Sequence, residues 1–165
     1  MLAYKFLRSG RIGPFSGFHW PEGEWLDAGG TELCVRGVHA CRSADLPYWI
    51  TAELWEIELD GDVREEPRKL VAERGRLVRR IEAWDAAAGR RFAEACAERA
   101  RERANGATGE LSGYASDAAA NAANGEVTLV GFIAARAAEI DAGVEGYAAE
   151  RRAQADWLAH ELELR

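Results

Sequence analysis

Along the first half of the chain, apolar and polar residues alternate or fall in short runs. The stretch ELWEIELDGDV is the clearest case: Trp55, Ile57 and Leu59 interleave with Glu56, Glu58 and Asp60. A period of two predicts a strand with one buried face. LAYKFL predicts an opening strand, and TELCVRGVHAC one or two short strands around Gly37. KLVAERGRLVRRI predicts a further strand with a bulge at Gly75. Asp60-Gly61 has the composition of a tight hairpin turn. GPFSGFHWPEGEW is broken by glycine and proline and predicts a loop with aromatic anchors.

The second half has a helical period. Trp84, Ala88, Phe92 and Cys96 fall on one stripe, and Asn105-Gly106 stops that helix. A second helix is predicted from about Ser112 to Asn124. Leu129, Ile133, Ala137 and Ile140 mark a third, closed by Gly143, and Tyr147, Arg151, Ala155, Leu158 and Leu162 mark a fourth. The predicted class is α+β: a small, mostly antiparallel sheet in residues 1–83, packed with an alanine-rich helical bundle in 84–165, as one compact unit.

Composition sharpens this division. Residues 1–83 hold all four prolines and four of the six tryptophans. With 165 residues and 48% hydrophobic content, the chain needs no disulfide or metal to fold. Three cysteines without framework spacing fit a reducing compartment, and the opening MLAYKFLRSG is unlike a signal peptide, so a cytoplasmic protein is expected. No stretch is apolar enough to span a bilayer. The net charge of −7 argues against general nucleic-acid binding. Arginine outnumbers lysine nineteen to two, as in GC-rich genomes of actinobacteria and their phages. Alanine-rich helices also allow a homo-oligomer.

Candidate chemistry gathers in GVHACRSADLPYW. On a strand, His39 and Cys41 share one face, while Val38 and Ala40 take the other and suit the core. His39 would serve as a general acid or base near neutral pH. Cys41, beside Arg42, is a candidate nucleophile, or simply a small hydrophobe. His19 lies among Phe18, Trp20 and Trp25 in a loop suited to a flat ligand. Tyr48, Trp49 and Arg8 complete the expected binding set. Glu56 and Glu58 would orient a histidine or act as a base if their face meets a cleft; otherwise they are solvated. Cys34, His39 and Cys41 match no familiar zinc spacing, so no metal is expected. No phosphate-binding glycine loop is present, so the residues imply no cofactor.

GVHACRSADLPYW followed by AELWEIELDGDV resembles a group of uncharacterised phage and actinobacterial proteins with a Gly-x-His-Ala-Cys motif, over roughly Leu2 to Ile81. The order of Arg8, the Gly37–His39 segment and Glu56-x-Glu58 is also similar to the ADP-ribosyltransferase fold. That likeness would imply a nicotinamide dinucleotide user, although the helix between the first two motifs and the Ser-Thr-Ser of that family are missing. Two readings follow. One is a small enzyme acting on a small molecule by acid–base chemistry at a His-containing aromatic pocket. The other is a non-catalytic protein-binding or regulatory module.

Overall fold

A computed structural model describes residues 1–32 and 36–164. It divides the chain into two units, residues 1–84 and residues 85–164. The predicted Cys34 position lies outside the described residues.

The first unit is an antiparallel five-stranded sheet: β1 (Leu2–Leu7), β2 (Leu26–Asp27), β3 (Val38–Ala40), β4 (Glu53–Glu66) and β5 (Lys69–Arg80). β4 and β5 form one long hairpin; β1 pairs with β4, while β2 and β3 pair with β5. The pairing then returns to its start. Just beyond β3, Cys41 exchanges two backbone hydrogen bonds with Tyr4 of β1, at 2.8 and 2.9 Å. The ring β1-β4-β5-β3 therefore has an inner and an outer face. Ala3, Leu7, Val38, Ala40, Trp55, Ile57, Leu59, Leu70, Ala72 and Leu77 fill the inside, with Trp20 folded in from the loop. Tyr4, Phe6, Cys41, Leu54 and Val71 alternate with them and are buried on the outside. There a 3-10 helix, Ser43–Tyr48, contributes Leu46, and Trp84 meets Phe6 edge-on at 5.6 Å.

Two turns differ from the sequence reading. Asp60-Gly61 does not end the strand. Gly61 adopts φ +80, and the register shifts between Asp60 and Val63, so the glycine is spent on a bulge and β4 runs on to Glu66. The hairpin closes instead at Pro67-Arg68, with Arg68 at φ +66. That conformation disfavours a residue with a Cβ, and local contacts hold it: the Arg68 guanidinium lies 4.3 Å from the Tyr48 ring centre, and its carbonyl accepts from Trp49 Nε1 at 2.6 Å. Gly75, expected to bulge, is in register with Leu59 and Leu26. Its missing side chain makes room, since a Cβ there would stand 2.6 Å from Val38 Cγ1.

The second unit holds α1 (Ala86–Arg103), α2 (Glu110–Ala123) and α3 (Val127–Glu161). Asp85 caps α1 by accepting from the Ala88 amide at 2.7 Å. Trp84, placed on the α1 stripe by its spacing, precedes that cap and packs on the sheet side. α3 is broken at Ala142 and Gly143, which corresponds to the two predicted helices. Phe92, Cys96, Val130, Ala134, Ala138 and Leu158 are buried among these helices, but Leu129 and Ile140 are exposed.

Candidate functional site

The GVHAC strand is held tightly on both edges. His39 pairs with Val71 of β5, and Cys41 with Tyr4. The inward side of the neighbouring strand supplies Lys5, a residue the sequence reading passed over. Alternation along β1 sends Lys5 inward with Ala3 and Leu7. Its ammonium donates to the His39 carbonyl and lies 4.6 Å from the Trp20 ring centre. The side chain keeps some exposed area, yet burial of its ammonium lowers the pKa to about 8. Hydrocarbon walls penalise the charge, and one carbonyl and one ring face only partly replace water.

Cys41 is 3% exposed, and its thiol pKa is pushed up to about 12 by burial and by the Asp45 carboxylate, against the opposing pull of Lys5 and Arg42. Cys41 is a packed, protonated thiol at neutral pH, which removes the thiolate that a nucleophile needs. His39 is half-buried. Burial first, then Lys5 and Lys69, lower its pKa and keep the imidazole neutral at physiological pH. His19 is exposed and pairs its backbone with Ile12 in the aromatic loop.

The acidic residues of β4 face arginines of β5. Glu56 pairs with Arg79 at 2.9 Å, Glu58 with Arg76 at 2.7 Å, and Asp60 with Arg74. Directly opposed unlike charges stabilise a strand pair, and they occupy the carboxylates proposed as bases. Sequence reasoning also missed Glu53. Its buried carboxylate accepts from the Gly10 amide at 2.8 Å, the Arg11 amide at 3.2 Å and Trp55 Nε1 at 3.1 Å. Burial alone would raise its pKa, but the three hydrogen bonds and Arg80 outweigh that and hold it below the usual carboxylate range. Glu53 thereby pins the left-handed turn at Gly10-Arg11, which launches the aromatic loop.

The expected binding residues fall into four surroundings. Trp20 joins the inner core and meets Phe18 edge-on at 5.8 Å. Trp25 is 41% exposed, with the Arg74 and Arg76 guanidinium groups 5.7 and 4.9 Å from its ring centre. Tyr48 and Trp49 flank the hairpin tip with Arg68, and Phe15 meets Trp49 edge-on at 6.3 Å. The Arg8 guanidinium donates to the Gly13 carbonyl at 3.4 Å. Phe15, absent from the expected set, is 86% exposed. The loop that presents it is closed by Gly13 and Phe18 through a 2.8 Å backbone hydrogen bond. Among the described residues, no three His, Cys, Asp or Glu side chains converge as metal ligands, and no helix is long and apolar enough to cross a membrane.

A model of one protein family, described as a domain of unknown function (DUF7666), matches residues 1–89, more than half of the chain. The chain belongs to the DUF7666 family. The DUF7666 match takes in the whole sheet, the aromatic loop and the GVHAC strand, and it ends inside α1. No curated protein and no solved structure matches the chain.

Proposed function

We propose that this DUF7666 member is a non-catalytic module that binds another protein through the aromatic loop and the β4–β5 hairpin tip. The observation that carries this reading is the exposure of Phe15, at 86%, edge-on to Trp49 with Tyr48 and Arg68 next along, and of Phe18, at 47%, on the same loop. A phenylalanine held out on a loop that is itself hydrogen-bonded into shape buries little area for the fold. Aromatic and arginine side chains grouped on a surface are the usual anchors of protein interfaces. The residues that would run chemistry hold the sheet together: Cys41 is buried, while Glu56 and Glu58 are paired to Arg79 and Arg76.

A photo-cross-linking phenylalanine analogue placed at position 15 tests the reading in cells. A discrete protein adduct that disappears when Phe18 and Trp49 are replaced by serine supports it. Adducts that are diffuse, or unchanged by those replacements, overturn it.

The second reading, acid–base catalysis at His39, draws on one observation: its lowered pKa keeps the imidazole neutral and able to accept a proton. His39→Gln separates the two. Catalysis at His39 requires a rate loss of about 10²–10⁴ in a folded variant, whereas the binding reading requires unchanged partner affinity.

A further inference from the structure

The first segment of α3, residues 127–141, buries Val130, Ile133, Ala134, Ala137 and Ala138. A bundle helix ordinarily turns a polar face to water. Here the opposite side carries Leu129 and Phe132, then Arg136 and Glu139, then Ile140, with Val144 just past the break. Phe132 is 48% and Val144 75% exposed. Phe132, Arg136, Glu139, Val144 and Tyr147 line an open groove of about 340 Å³.

We propose that a second copy of this chain docks on this face, with the two α3 segments antiparallel about a two-fold axis between Arg136 and Glu139. The order of residues along the face carries this docking. Arg136 and Glu139 already form an ion pair within one chain. About a two-fold axis between them, Arg136 of each copy meets Glu139 of the other, so the charge pattern complements itself. Phe132 lies four residues before Arg136, and Ile140 directly after Glu139. The same register sets the exposed Phe132 of each copy on either side of the charged centre, with Leu129 and Ile140 on the same exposed face. A parallel arrangement would set arginine on arginine and glutamate on glutamate. A surface that is its own complement under a two-fold rotation is the requirement for a closed dimer. The charged centre fixes register, and the apolar flanks supply the buried area. This inference is independent of the reading of the aromatic loop.

Sedimentation equilibrium of the full chain tests it. The wild type should be a reversible dimer. Phe132→Glu should be a monomer with unchanged helical circular dichroism, since the position faces solvent in the folded chain. Arg136→Glu and Glu139→Arg should each weaken self-association by about tenfold or more, because like charges then oppose across the axis. An equimolar mixture of these two variants should dimerise again, one copy supplying only acids and the other only bases at the centre. A wild type that stays monomeric at every concentration overturns the proposal. So does a dimer indifferent to Phe132→Glu, or a mixture that associates no better than its components.

Discussion

Replacing Lys5 by methionine should stabilise the protein at neutral pH, and by an amount that depends on pH in a defined window. Lys5 carries its ammonium on the inner face of the sheet, against Trp20 and the His39 carbonyl. Its pKa falls from 10.5 to about 8. One unit is worth about 1.4 kcal/mol, so the charged form is disfavoured on folding by at most about 3 kcal/mol, less where the partly exposed stem lets water in. Between about pH 8 and 10.5 the unfolded chain binds the Lys5 proton and the folded chain does not. Stability gained from this group therefore rises with pH across that window, and the penalty is complete below about 8. Above pH 9 the thiols act in the opposite sense. Cys41 and Cys96, both pushed up to about 12, ionise first in the unfolded chain and erode stability. Subtracting the variant's curve from the wild type's cancels Cys96 and leaves Lys5 together with its coupling to Cys41. Methionine fills similar space and suits the Trp20 ring, but it leaves the His39 carbonyl without a donor, a loss of about 1–2 kcal/mol. The expected net gain at pH 7 is about 1–2 kcal/mol, turning into a net loss by pH 10.5. Urea denaturation of both proteins at several pH values between 7 and 10.5 reads it. A difference that stays constant across that range would refute the account of Lys5 as a desolvated ammonium.

Trp55→Ala should destabilise by about 3–5 kcal/mol in a thermal or denaturant melt, since Trp55 is 4% exposed within the inner core. Glu53→Gln should lower stability by on the order of 2 kcal/mol at pH 7, since it weakens acceptors of three hydrogen bonds. The lowered pKa makes the Glu53 contribution complete above about pH 4.5 and lost as pH falls through the folded value, so acid melts of the two proteins should converge. Glu150→Ala should cost about 3–5 kcal/mol in the melt of the helical signal: Glu150 is wholly buried and receives Arg99 at 2.8 Å and Gln154 at 3.0 Å, and its loss leaves a guanidinium without its carboxylate.

The sheet was legible wherever one face is buried and the other polar. Trp55, Ile57 and Leu59 declared β4, and Val38 and Ala40 declared the inward side of β3. The outer face was hidden because it too is buried: Tyr4, Phe6 and Leu54 fill it, and a strand covered on both faces loses its alternation. The ring closure through Tyr4 and Cys41 is long-range backbone pairing and leaves no trace in periodicity. Gly61 and Arg68 show a further limit: the glycine serves a bulge while the turn takes a non-glycine residue at positive φ, and composition does not separate the two. In the candidate site, the GVHAC strand drew notice for its residue types. Lys5, which donates to the His39 carbonyl, and Glu53, which holds the Gly10-Arg11 turn, sit in strands that read as ordinary. A signal did exist for the buried network in α3: Arg151 fell on the apolar stripe with Tyr147, Ala155 and Leu158. It donates to Gln154 there at 3.0 Å.

The central claim, that the first unit recognises a protein through its exposed aromatics, is tested most directly by calorimetric titration. The titrant is the partner captured by the cross-linker at position 15. Wild type, Phe15→Ser and His39→Gln are compared after each is shown to be folded. Phe15→Ser should weaken binding by about tenfold or more, with His39→Gln within a factor of about two of wild type. Full affinity in Phe15→Ser, or a loss confined to His39→Gln, would contradict it.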